Sequence, residues 1–237
     1  MSLAGKHVVI IGGSSGIGKA VAMAALAAGA SVHIGSSNAE RLNSALALLG
    51  PGASGTAVDV CDEASVEGFF ANAPAIDHLV YTAGDWARRK TQVGAKFELA
   101  EAQASVETRF WGVLLAIKHA LPIMSQGGSI TLTSGLYAHR PAKGTSLITA
   151  FNGAVEHLGR GLAVDLAPIR VNVVTAGFID TEAWSAISEE MKQGMTARQP
   201  IARPGLPAEV AEAYLYFMRA GYTTGQVNIV DGGGLFS

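Results

Sequence analysis

One cysteine, Cys61, stands in the 237 residues. It admits no internal disulfide, which excludes the stapled scaffolds of small secreted proteins. Charge is scarce: 17 Lys plus Arg face 19 Asp plus Glu, a net charge of −2, and charged residues make up 15% of the chain. An average soluble domain carries about 25%. A near-neutral chain has no electrostatic footprint for nucleic acid or an anionic membrane. No apolar run approaches the ~18 residues needed to cross a bilayer. The six histidines (His7, His33, His78, His119, His139 and His157) show no metal-ligand spacing with acids or the cysteine, so no metal is expected. A first strand starting at His7 leaves no room for a signal peptide, and the expected location is cytoplasmic.

Apolar residues and glycine are abundant instead, at 49% and 29 positions. So apolar a chain can bury a core that offsets its conformational entropy, which excludes disorder. The glycines follow no collagen-like period and must mark backbone sites. One globular domain over residues 1–237 is expected.

Short apolar runs alternate with helical patterns from end to end. Strands are expected at 7–11, 31–35, 56–60, 76–82, 129–134, 170–175 and 226–230. Helices are expected at 16–29, 40–49, 65–73, 102–124, 153–166 and 208–220. Strands without polar alternation, separated by helices, imply a parallel sheet covered on both faces. The fold expected is α/β, a Rossmann-type doubly wound sheet in three layers. Two segments, 85–101 and 177–205, are long and polar and follow strands. In such a sheet they lie on the rim where ligands bind, as lids over a pocket or as plain connections.

Gly12-Gly13-Ser14-Ser15-Gly16-Ile17-Gly18 joins the first strand to the first helix. Glycine there permits a tight turn and lets backbone amides approach a pyrophosphate at the helix N-terminus. About 20 residues on, the second strand should read the adenosine ribose. It ends in Ser36-Ser37-Asn38, with Arg41 a turn later and no acid. Hydroxyls, an amide and a guanidinium suit a 2′-phosphate, which favours NADP over NAD. The alternative is that Asn38 only caps the second helix and Arg41 is solvated. Asp59, at the end of the third strand, is a candidate partner for the adenine amine.

These features resemble the short-chain dehydrogenase/reductase family over essentially the whole chain. The loop is similar to its TGxxxGIG motif, with Ile11 in place of the threonine. Tyr81-Thr82-Ala83-Gly84 resembles NNAG, and 170–177, RVNVVTAG, resembles RVNxVxPG, with Thr181 kept. The segment 224–233 is similar to TGQxxxVDGG. The resemblance adds Val60, Ala83, Gly84, Gly177, Ile179 and Thr181 to the cofactor candidates. It also implies a small carbonyl or alcohol substrate and a homo-oligomer, dimer or tetramer.

The family's catalytic side chains are matched only in part. Ser134 matches the serine that orients the carbonyl. The stretch Gly153-Ala154-Val155-Glu156-His157-Leu158 resembles AAVEGL, which follows the family's lysine. That register puts Asn152 at the lysine position and Ile148 at the tyrosine position; no YxxxK occurs. Val106-Glu107-Thr108-Arg109-Phe110-Trp111-Gly112 resembles the VNLxG stretch, with Arg109 where asparagine is expected. A positional exchange follows: the cation moves to Arg109 and the amide to Asn152, beneath the nicotinamide ribose. The alternative turns Arg109 outward to pair with Glu107 or Glu101. Tyr137 leads the replacement proton donors, ahead of His139, Lys143 and Tyr81. Arg88, Arg89 and Lys90 are candidates for an anionic substrate at the pocket mouth, and Trp184, Met191 and Met195 for an apolar lid. An NADP-dependent oxidoreductase with an altered site is the leading expectation. A cofactor-binding sensor or assembly protein without turnover, and a non-redox enzyme on the same pocket, remain open.

Overall fold

The structure, a computed structural model, describes residues 2–71, 73–84, 93 and 97–237. Seven parallel strands form one sheet in the order β3-β2-β1-β4-β5-β6-β7. They are β1 (His7–Ile11), β2 (Ser31–Ser36), β3 (Ala53–Ala57), β4 (Ile76–Tyr81), β5 (Met124–Gly135), β6 (Arg170–Ala176) and β7 (Val227–Val230). The helices are α1 (Gly16–Ala27), α2 (Ala39–Leu49), α3 (Glu63–Ala71), α4 (Leu99–Val106), α5 (Gly112–Ala120), α6 (Ser146–Asp165), α7 (Glu189–Thr196) and α8 (Pro207–Arg219). This is the expected doubly wound architecture. The order reverses between β1 and β4, and that reversal opens the crevice used for ligands in such sheets.

Uninterrupted apolar strands need cover on both faces, and two buried clusters supply it. Val8, Ile10, Val32 and Ile34 pack with Val21 and Ala25 of α1 and Tyr214 and Phe217 of α8. On the other face Val9, Leu79, Ile130 and Val173 pack with Phe69 of α3, Val113 and Ile117 of α5, and Val155 of α6. Arg170 closes the C-terminus of α8, donating to Phe217 O at 2.6 Å and Ala220 O at 2.9 Å.

Several boundaries differ from expectation. The third strand lies at Ala53–Ala57, not at 56–60. It is a sheet edge with little to bury, so its small residues carry no apolar signal, while Val58 and Val60 pack just past its end. The expected helix 102–124 is α4, a π-turn over Glu107–Trp111, α5 and a 3-10 turn over Leu121–Ile123, after which Met124 already opens β5. Helix α6 starts at Ser146, so Ile148 is helical as well as Asn152. The segment 177–205 holds α7 and a 3-10 turn at Glu182–Trp184. Of 85–101, the part from Leu99 belongs to α4, and Arg88, Arg89 and Lys90 lie outside the described residues.

Candidate active site

The loop between β1 and α1 depends on glycine at two places above all. Gly12 has φ +90°, and a Cβ on it would stand 2.7 Å from Ala83 N. A Cβ on Gly18 would stand 2.3 Å from Gly12 O and 2.4 Å from Thr82 Oγ1. The loop therefore folds back on itself and against the Thr82-Ala83-Gly84 turn, whose Thr82 N and Oγ1 both donate to Ile11 O. Ser14 Oγ donates to Ser36 Oγ at 2.8 Å, which ties the loop to the end of β2. Asn38 caps α2, its Oδ1 accepting from Arg41 N at 2.8 Å; the Arg41 side chain is exposed. Asp59 is exposed, and its carboxylate accepts from Cys61 N. Val60 is buried.

The segment after β6 returns to this loop. Gly177 lies so close to Asp231 that a Cβ would stand 2.6 Å from its Cα. Ile179 bridges to Gly205, and a Cβ on Gly16 would stand 3.3 Å from the Thr181 side chain. Beside Thr181, the Glu182 carboxylate accepts from Gly16 N at 2.8 Å and pairs with Lys19. Burial disfavours its charge, but Lys19 and the backbone amides prevail and hold the carboxyl below its usual range. Gly16, Lys19, Asp180, Thr181 and Glu182 line a cavity of about 500 Å³. An anion already sits on the first amide of α1, which is the chemistry a pyrophosphate would require of it.

Further polar side chains lie at the C-terminal ends of β5 and β6, on α6 and on the π-turn. Arg109 is 6% exposed, in the middle of the π-turn, so its side chain is buried. Its burial continues the stripe Ala102, Ser105, Arg109, Val113, Ala116, whose helical spacing was readable in the sequence. The turn is closed by a Gly112 N to Glu107 O bond and packs against α6. Such turns are rare and often mark functional sites. Tyr81 donates its hydroxyl to Thr108 O within it, and burial pushes the phenol far above its ordinary pKa. Tyr81 is thereby held in the packing, away from a proton-donating role.

Ser134 and Asn152 are each 1% exposed. Ser134 Oγ lies within donating distance of Asn152 O at 3.1 Å and Glu156 Oε1 at 3.2 Å; Asn152 Nδ2 donates to Gly135 O at 3.2 Å. Both side chains thus join the end of β5 to α6. Glu156 was absent from the expectations. It is buried, and its carboxylate also accepts from Thr175 Oγ1 at 2.6 Å and pairs with His139 Nε2 at 2.9 Å. A buried carboxylate is tolerable when hydrogen-bonded in this way. The available signal was its place on the buried stripe Asn152, Val155, Glu156, Gly159 of α6. Tyr137 is 39% exposed in the 3-10 turn over Leu136–Ala138. Lys143 is exposed. Trp184 stacks edge-on against Phe178 at 4.9 Å, while Met191 and Met195 face outward. Among the described residues no group of acids, histidines and cysteine could hold a metal ion.

Residues 12–234 match the family model described as enoyl-(acyl carrier protein) reductase. A short-chain dehydrogenase/reductase of Stachybotrys chlorohalonatus is 38% identical, covering 98% of this chain and 98% of its own length. The chain belongs to the short-chain dehydrogenase/reductase family. Among solved structures, a small-chain dehydrogenase in complex with NADPH superposes with a TM-score of 0.84 at 35% identity, covering 98% of this chain and 99% of the other. The reductase/Diels-Alderase MalC of Malbranchea aurantiaca superposes with a TM-score of 0.91 at 34% identity, covering 99% and 98%. Like its family, the chain is an NAD(P)-dependent oxidoreductase. Among its described residues no helix is long and apolar enough to cross a membrane.

Proposed function

We propose that this short-chain dehydrogenase/reductase uses NADP(H) to interconvert a small carbonyl compound and its alcohol, in a site where Arg109 supplies the fixed positive charge. The observation that carries the reading is a guanidinium buried in a π-turn that packs against the helix bearing Asn152. A guanidinium there places a fixed charge beside α6, and arginine stays charged at any working pH. Arg109 then contributes electrostatics beneath the ribose, and Asn152 holds α6 to the end of β5.

The glycine loop fits the cofactor. Its turn is so tight that a Cβ at Gly18 would strike Gly12 O, and its first amide already takes a carboxylate. Gly12, Ser14, Ser15, Gly16, Ile17 and Gly18 would hold the pyrophosphate. Ser36, Ser37, Asn38 and Arg41 would hold the 2′-phosphate, and Asp59 and Val60 the adenine. Ala83, Gly84, Gly177, Ile179 and Thr181 would border the nicotinamide half. The bound nucleotide supplies a hydride. Absence of an acid at the end of β2 supports NADP, since a carboxylate there would repel the extra phosphate. Ser134 serves as a positioning residue, through its reach to Glu156 and the backbone of α6. The alanine- and glycine-rich stretch 153–167 is compatible with close helix packing in a homo-oligomer.

Titration with NADPH and NADH by nicotinamide fluorescence, followed by a carbonyl and alcohol panel read at the nicotinamide absorbance band, tests this. Tighter NADPH binding and turnover of a panel compound are expected. Tight binding without any turnover would favour the sensor reading, and failure to bind either nucleotide would remove the premise.

A further inference from the structure

We infer that His139, held by the buried Glu156, is the proton donor to the substrate oxygen. The inference rests on the oxidoreductase reading above. Reduction of a carbonyl needs a proton on oxygen, and the residue at the family's tyrosine position, Ile148, has none to give. Tyr81 is held by Thr108 O. His139 follows the 3-10 turn Leu136–Ala138, just past the C-terminal end of β5. Dinucleotides bind along that edge of the sheet, across the crevice beside β1 and β4. The imidazole bonds Glu156 through Nε2 at 2.9 Å, and its side chain is 31% open. No second partner holds the Nδ1 side among the described residues.

The Glu156 carboxylate is fixed from three directions, by Ser134 of β5, Thr175 of β6 and His139. An acid so placed orients the ring, as a carboxylate does for a catalytic histidine. The proton passes from Nδ1 to the carbonyl oxygen as the carbonyl carbon accepts the hydride with its electron pair. The products are the alcohol, the oxidised nicotinamide and a neutral imidazole, which regains its proton from solvent. Glu156 acts as a positioning residue.

Wild type and the His139→Ala, His139→Gln and Glu156→Gln variants are compared for NADPH binding and for NADPH oxidation by 9,10-phenanthrenequinone and cyclohexanone. General acid assistance is worth about 10²–10⁴-fold. Expected is a kcat loss of about 10²-fold or more in both His139 variants, with NADPH affinity within about twofold. His139→Gln can still donate to Glu156, so activity retained there overturns the inference. Exogenous imidazole should restore His139→Ala in part; no recovery counts against proton donation. Side-chain nitrogen NMR of the resting protein gives a readout apart from turnover. The neutral ring should carry its proton on Nε2, and Glu156→Gln should mix the tautomers. A neutral ring protonated on Nδ1 overturns the dyad by itself. If NADPH binds and neither carbonyl is reduced, the dyad is overturned as a working donor. If NADPH does not bind, the underlying reading fails instead.

Discussion

The β1–α1–β2 half of the sheet's C-terminal edge and the β5–α6–β6 half are built on opposite principles. The first works through the backbone: amides at a helix start, glycines pressed to within 2.3 Å of a would-be Cβ contact, and small hydroxyls. The second is lined by side chains, Ser134, His139, Asn152, Glu156 and Thr175, with Arg109 on the π-turn packed against α6. Backbone chemistry tolerates no substitution at its glycines, whereas a set of side chains can be rearranged if charge and hydrogen bonds are still satisfied.

Gly18→Ala should break the comparison on the backbone side with the largest effect. The added methyl would have to displace Gly12 O, which is main chain and cannot swing aside. Overpacking costs about 1–3 kcal/mol, and the same displacement at the cradle should weaken NADPH binding by roughly 10²-fold. A fluorescence titration that returns wild-type affinity would show that the loop does not hold the pyrophosphate.

Arg109→Leu is the corresponding change on the other side. Removing a fixed charge that stabilises a transition state costs about 10²–10³-fold in kcat. That loss should appear in steady-state turnover, with a smaller effect on NADPH binding. Arg109→Lys should recover only part of it, since a lysine lacks the planar fork. Unchanged turnover in Arg109→Leu would sink the exchanged-charge site.

The same division explains what was legible in the sequence. Gly12, Gly18 and the Thr82-Ala83-Gly84 turn act through local backbone geometry, so their spacing along the chain carried the information. Glu156 meets His139 across 17 residues and Thr175 across 19, from three separate elements. No local pattern announces such a meeting. The charged residues on the buried stripes of α6 and the π-turn were the only trace, visible once burial is asked of each helical position. Strand β3 fails for the reverse reason: an edge strand of Ala, Ser, Gly and Thr has little core to face, and Val58 and Val60 beyond it drew the expectation three residues along.

Arg41→Ala should have a more modest effect, confined to cofactor choice. Asn38 binds the backbone of Arg41 and leaves the guanidinium exposed at the end of β2. A charge-assisted hydrogen bond is worth about 1.5–3 kcal/mol, less at an exposed site, so about a tenfold loss of NADPH affinity with NADH unchanged is expected. Equal losses for both nucleotides would assign Arg41 to α2 stability and leave the phosphate without its cation.

Glu182→Gln probes the contact between the halves and should give the smallest change, a gain. Its carboxylate takes the Gly16 amide at 2.8 Å, at the start of α1, where a pyrophosphate would compete for the same donor. Charge at a helix start is worth about 0.3–1 kcal/mol, so neutralising Glu182 should tighten NADPH binding by about two- to fivefold. Burial opposes the charge on Glu182, yet Lys19 and the backbone amides keep its carboxyl below the ordinary range. The wild-type side chain therefore stays ionised from neutral pH down to at least about pH 5. The gain should then be the same at pH 8 and pH 6. Weaker binding in Glu182→Gln would mean that the carboxylate supports the loop through Lys19 and does not contest its anion site.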